Sequence, residues 1–191
     1  MARSKVFDEE QALNAVMLAF WKSGYNSTSI QDLERATGLK RTSIYNAFGD
    51  KRQLFQLVLQ RYLDLLGIPA ALAKPKVRDA ITAALNETIK LHFTKGHPGG
   101  CLMLLSLLEN HHHDEETRKT LEMAAQGMQG RIIARLEQAV SEGELPPGFD
   151  CRQAGNQVMA ILAGMLVMAK ANIPKAELQA LVKHSVATLL P

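Results

Sequence analysis

At 191 residues the chain is long enough for one large domain or two small ones around a substantial core. With 47% hydrophobic and 21% charged residues it has an ordinary globular balance, which argues against a long disordered segment. The net charge of +3, with a pI near 8.9, permits nucleic-acid binding without demanding it, since a local patch matters more than the sum.

Two cysteines far apart, Cys101 and Cys151, make no disulfide framework, so a reducing cytoplasm is the expected compartment. The opening MARSKVFDEE lacks the apolar run of a signal peptide. The most apolar stretch, Val158 to Ala169, is too short to cross a bilayer and ends at Lys170, so no membrane association is expected.

Arg3 and Lys5 sit on a short tail that either reaches phosphates or a minor groove or is simply a basic tail. Asp8 is placed to cap a first helix, with Phe7 as half of a hydrophobic staple. Leu13, Val16, Met17 and Phe20 then form one buried stripe up to Gly24, and Trp21 and Tyr25 close the same small core. Ser27, Thr28 and Ser29 precede a second helix, where hydroxyls cap well and free N–H groups can hold a phosphate.

From Ser29 to Lys51 the sequence SIQDLERATGLKRTSIYNAFGDK predicts two short helices joined by a tight turn. Ile30, Leu33 and Ala36 lie at helical spacing, and Gly38 supplies the positive φ that stops the first of them. A third helix, from about Lys40 to Phe48, turns Leu39, Ile44 and Phe48 inward. Lys40, Arg41, Thr42, Ser43, Tyr45 and Asn46 are left outward, which are the short donors, cations and aromatic hydroxyl of a major-groove reader. Gly49 ends this helix and Asp50 caps a fourth, beginning Lys51-Arg52. It carries an apolar face of Leu54, Phe55, Val58, Leu59, Tyr62 and Leu65, longer than a three-helix module needs.

The block TSIQDLERATGLKRTSIYNAFGDKRQLF, after a helix ending FWKSGYNS, resembles the DNA-binding domain of the tetracycline-repressor (TetR) family of bacterial regulators. The matching positions are Gly24, Thr28, Ile30, Gly38, Ile44-Tyr45, Phe48 and Asp50-Lys51, within about residues 7 to 62. The resemblance implies a homodimer that places each third helix in the major groove of double-stranded operator DNA. Thr28, Lys40 and Ser43 would belong to the DNA-binding surface, Tyr45 would meet the backbone and Lys51 a phosphate, while Arg41, Thr42 and Asn46 face base edges.

The expected organisation is all-α. A helix-turn-helix domain over residues 1–51 is joined by a connector helix over about 50–66 to a helical effector-binding and dimerisation domain over 67–191. The stretch GIPAALAKPKV, with two prolines, marks the boundary. Beyond it a helix is predicted from about Val77 to Phe93, broken by Gly96-His97-Pro98-Gly99-Gly100. CLMLLSLL, from Cys101 to Leu108, reads as a short helix buried on all sides, and ENHHHDEE as a polar loop. Helices follow over about Glu115 to Glu142, from Asp150 to about Ala171, and from Pro174 through Leu190.

Small residues among apolar ones on the last two helices predict a four-helix dimer interface, with Ala160, Gly164, Val167, Leu178, Leu181, Val182 and Ser185 in it. The alternative is a purely intramolecular core. A small-molecule effector of unspecified identity is expected in a cavity lined by Tyr62, Ile89, His92, Phe93, Cys101, Met103, Leu107, Met128 and Met159, against the alternative of ordinary core filling. Cys101, at a helix start after two glycines, is a candidate electrophile sensor whose thiol a helix N-terminus would acidify, against the alternative of a buried, inert thiol.

Adjacent His111, His112 and His113 lack the spacing that aligns metal ligands on one helix face, and neither a metal nor a cofactor is expected. No phosphate-binding glycine loop, nucleophile elbow or zinc-protease pair argues for an enzyme. The functional reading is a DNA-binding regulator, most simply a repressor released from a palindromic operator by a small molecule or thiol-reactive compound. An activator or global regulator of the same fold and a helical protein-interaction module are the alternatives.

Overall fold

The computed structural model describes residues 7 to 191, so the expected Arg3 and Lys5 arm lies outside the described residues. Ten α-helices run through them, with no strand among them. They are α1 (Glu9–Ser23), α2 (Ile30–Thr37), α3 (Arg41–Phe48), α4 (Lys51–Leu65), α5 (Ile68–Leu72), α6 (Val77–Phe93), α7 (Leu102–Leu108), α8 (Glu115–Ser141), α9 (Cys151–Lys170) and α10 (Lys175–Leu189). A 3₁₀ turn, Asn110–His112, links α7 to α8. None of these helices is long and apolar enough to cross a membrane.

Local chemistry sets most of the helix ends. Asp8 caps α1 through the Gln11 N–H, and Ser29 with Asp32 forms a capping box on α2. Asp50 with Gln53 does the same for α4, and Asp114 and Asp150 cap α8 and α9. Gly38 closes α2 in the left-handed region at φ 70°, which lets the chain reverse into α3 within three residues.

One contiguous core runs through both halves. Val16, Phe20, Trp21, Leu33 and Ile44 fill the N-terminal bundle, and Leu54, Phe55, Val58, Leu59 and Tyr62 continue it along α4. Phe20 meets Phe55 edge-on at 5.2 Å and Trp21 meets Tyr62 at 4.9 Å, so the connector shares rings with α1 rather than merely leaving it. The C-terminal half packs α6, α8, α9 and α10 around Ile81, Leu85, Leu136, Val158 and Val182. Gly155 lets α8 approach α9 closely, since a β-carbon there would collide with Ile133.

The structure departs from the sequence expectations in four places. The boundary stretch is not merely a linker: Ile68–Leu72 forms α5, with Pro69 near its start, and Ile68, Ala71 and Leu72 are buried against α6. Helix α7 is not buried on all sides, because Leu108 is 70% exposed and only one side meets α1, α4 and α8. The polar loop is not all solvated, because His113 turns inward.

The fourth departure is on α10. Leu178 and Val182 were expected at a dimer interface, yet both are fully buried within their own chain, where α10 packs on α6 and α9. Their stripe already has an intramolecular partner, so it is not available as a free surface.

Candidate nucleic-acid interface and the contacts behind it

Helix α3 stands on a short scaffold. Ile44 and Phe48 are buried beneath it, and Phe7 meets Phe48 edge-on at 6.2 Å. Its N-terminus is held from α2, where the Glu34 carboxylate accepts the Arg41 N–H at 2.6 Å. Lys40, Arg41, Thr42 and Asn46 are exposed, while Ser43 and Tyr45 are half-buried at the same face. The Arg41 guanidinium lies over the Tyr45 ring, 5.1 Å from its centre. The structure thus gathers six of the eight expected DNA-contact residues on one helix surface.

The other two sit differently. Thr28 is 1% exposed, and its hydroxyl donates to the Gly24 carbonyl at 2.6 Å. It joins the end of α1 to the start of α2 and has no free hydroxyl for a phosphate, which corrects its placement among the DNA contacts. Lys51 opens α4 half-buried, with its ammonium 4.5 Å from the centre of the Tyr25 ring. Burial holds its pKa below the ordinary lysine value, and the nearby Glu109 and Asp32 carboxylates pull the other way.

Behind this face lies a set of contacts that the sequence did not announce. The Glu109 carboxylate, at the end of α7, accepts the Tyr25 N–H at 2.8 Å. A β-carbon on Gly24 would push that carboxylate aside, and the φ of 81° there is one that favours glycine. His113 stacks on Phe55 at 5.4 Å and lies 4.9 Å from the Tyr25 ring, while its Nε2–H donates to the Ser106 carbonyl at 3.1 Å. Burial lowers its pKa below the ordinary histidine value, so the neutral ring is favoured.

Arg52 of α4 reaches Glu116 at 3.1 Å, adding a more exposed tie to the start of α8. The start of the connector is therefore clasped by the α7–α8 turn. A glutamate before three histidines carries no sequence signal for this role, because its partner is a backbone N–H 84 residues away.

The residues expected to line one effector cavity are dispersed. Tyr62, Ile89 and Met103 are packed in the core, Leu107 and Met159 are half-buried, and Phe93 is 40% exposed. Met128 lines a cleft of about 390 Å³ between α4 and α8, shared with Leu63, Ile68 and Arg131. His92 accepts the Gly100 N–H at Nδ1, 2.6 Å, and so ties the turn before α7 to the end of α6.

Cys101 caps α7, its sulfur accepting the Leu104 N–H at 3.4 Å. Burial nevertheless pushes its thiol above the ordinary value, against the acidification expected from a helix N-terminus, because desolvation outweighs the Tyr62 hydroxyl and the Leu104 and Met103 N–H groups beside the sulfur. Ala160, Gly164 and Val167 of α9 are exposed. Leu181 and Ser185 of α10 are half-buried beside them, and a shallow cleft of about 480 Å³ runs between the two helices past Gln157 and Thr188.

Two family models match the chain. Residues 13–58 match bacterial regulatory proteins of the tetR family, and residues 73–185 match the tetracyclin repressor-like C-terminal domain. The HTH-type transcriptional repressor ComR of Escherichia coli (strain K12) is 32% identical over 173 residues, covering 88% of this chain and 82% of that protein. The HTH-type transcriptional regulator YezE of Bacillus subtilis (strain 168) is 30% identical over 150 residues, 76% of each.

A cysteine-substituted form of the TetR family regulator CifR, solved with a 26-bp double-strand operator, superposes with a TM-score of 0.90 at 27% identity over 100% of both chains. These matches are to transcriptional regulators rather than enzymes. With its helix-turn-helix face and matches over both halves, this chain belongs to the TetR family and is a DNA-binding transcriptional regulator.

Proposed function

We propose that the chain is a cytoplasmic repressor that binds a palindromic operator as a homodimer and is released when a small molecule or a thiol-reactive compound acts on its C-terminal half. The observation that carries this reading is the outward face of α3, where Lys40, Arg41, Thr42 and Asn46 stand exposed on a capped and packed support. Arg41, Thr42 and Asn46 suit base edges in a major groove, and Tyr45 and Lys51 suit the backbone beside it. The names of the relatives support repression: ComR is a repressor, and CifR is seen on its operator.

Dimerisation is supported by the exposed α9 face. Ala160, Gly164 and Val167, with Leu181 and Ser185 beside them, present small and apolar groups that a second copy would cover. Two recognition helices set about one DNA turn apart would then read two half-sites together. A DNA-reading unit over residues 1–51, a connector over about 50–66 and a regulatory unit over 67–191 fit this division of labour. An effector would act by shifting the connector, which both halves hold.

Fluorescence anisotropy of the duplex upstream of the chain's own gene, titrated across a salt series, tests the reading. Sequence-dependent binding should weaken steeply with salt, with a log–log slope of roughly −0.9 per phosphate contacted. Binding equal to that of scrambled DNA at every salt concentration would point either to a distant operator, which genome-wide binding would find, or to the protein-interaction alternative. For the thiol route, Cys101→Ser is the discriminating variant: unchanged release of DNA by electrophiles would remove it.

A further inference from the structure

Under the last turn of the connector lies a cavity of about 220 Å³ between α4, α5 and α6. Leu65, Leu66, Ile68 and Leu91 give it apolar walls, and Thr88 and His97 complete them. Thr88 is 7% exposed, and its hydroxyl has no hydrogen-bond partner among the described residues. That is unusual, because a helical threonine ordinarily bonds the carbonyl one turn back. The Nδ1 of His97 is likewise buried and without a partner among them. Buried polar atoms are costly to leave unpaired, and both residues line this cavity, so it calls for an occupant with a polar group.

We infer that this cavity binds a small neutral molecule of about one ring, mostly apolar and carrying one hydroxyl or carbonyl. The size follows from comparison: a dry cavity of about 150 Å³ is enough for benzene. Neutrality follows from the rim, where Glu87 and Lys90 are paired with each other at 3.0 Å, so a charged occupant would lose hydration without gaining a free counter-charge. The single polar group follows from the buried, unpaired Thr88 hydroxyl, which can donate to one oxygen.

The site is placed to be felt by the DNA reader. Leu65 and Leu66 stand at the end of the connector, and the His97 ring lies 5.0 Å from that of Trp21 in α1, itself 4.9 Å from Tyr62 in α4. An occupant therefore bears on α4 directly and on α1 through one ring. This inference rests on the reading of the chain as an effector-responsive regulator, and it names the class of effector.

Trp21 is the chain's one tryptophan, so its emission reports on the site without a label. The full-length protein is titrated with benzyl alcohol and with toluene, with thermal unfolding as a second readout. Benzyl alcohol should give a saturable emission change and raise the unfolding temperature. Thr88→Val should weaken benzyl alcohol ~10-fold and leave toluene unchanged, while Thr88→Ser keeps both. Leu91→Phe, which fills the cavity, should weaken both.

The absence of any saturable response in the unaltered protein, or a response indifferent to Thr88→Val and Leu91→Phe, overturns the site. Salt-dependent operator binding, measured on the same preparations, is independent of that result. Operator binding that persists without the alcohol response removes the cavity alone, and its absence removes the regulator reading.

Discussion

Two exposed faces of this molecule differ in kind. On α3 the outward residues are Lys40, Arg41, Thr42 and Asn46, which are charged or hydrogen-bonding and well hydrated when alone. Along α9 from Ala160 to Met168 they are Ala160, Gly164, Val167 and Met168, with Val167 61% exposed and nothing within 4 Å of where a β-carbon on Gly164 would lie. The first face loses little in water and gains from a partner rich in phosphates and base edges. The second loses in water whatever it could gain by burial, roughly 25 cal/mol per Å², and asks for an apolar partner. Exposure alone says nothing of function; the chemistry of what is exposed separates a nucleic-acid reader from a protein interface.

Placing a charge on the second face should have the largest effect. Gly164→Asp or Val167→Asp should make the protein monomeric by analytical ultracentrifugation and cut operator affinity by roughly 100-fold, since an unpaired charge in an apolar interface costs about 3 kcal/mol. A dimer that survives both substitutions ends the assignment of that face. Next in size is Arg41→Ala on the first face, where operator affinity should fall ~10-fold or more while oligomeric state stays the same. Loss of discrimination between operator and scrambled duplex would place Arg41 on a base edge, whereas uniform weakening with a shallower salt slope would place it on the backbone.

Thr28→Val sharpens the boundary of the reading surface. Its hydroxyl bonds the Gly24 carbonyl inside the fold, so the expected cost is about 1 kcal/mol of stability in denaturant unfolding. The salt slope of operator binding should not change; a slope reduced by one phosphate would return Thr28 to the DNA contacts.

The smallest expected effect is a pH dependence at the clasp behind the first face. His113 has a pKa lowered by burial from its ordinary 6.5, so the unfolded chain takes up a proton there before the folded one does. Its contribution to stability is therefore complete above about pH 6.5 and is lost as pH falls toward the lower folded value. Unfolding temperatures at pH 7.5 and 5.5 should differ more for the parent chain than for His113→Phe. Equal differences would mean that His113 does not titrate with unfolding.

Legibility followed the range of the interactions. The reader was the most legible part, because its signals are local. A capping serine three residues before its aspartate, Gly38 at the turn and inward Ile44 and Phe48 each act within one or two helical turns. Helix α6 was read at its observed limits, Val77 to Phe93, for the same reason. Thr28 misled because a hydroxyl before a helix suits a cap, a phosphate or a carbonyl equally well in one dimension. Glu109 and His113 could not be placed, because their partners at Tyr25 and Phe55 are far away in sequence.

The helical class, the helix-turn-helix and its outward residues therefore follow from the order of residues, since all of them rest on spacing, caps and periodicity over a few positions. Tertiary structure alone decided which apolar stripes found partners within the chain. It buried Leu178 and Val182 of α10, left Val167 of α9 in the open, raised the Cys101 thiol despite its place at a helix start, and left Thr88 beside a cavity with an unpaired hydroxyl. Burial and desolvation depend on every element packed around an atom, and that neighbourhood is assembled only when distant helices meet.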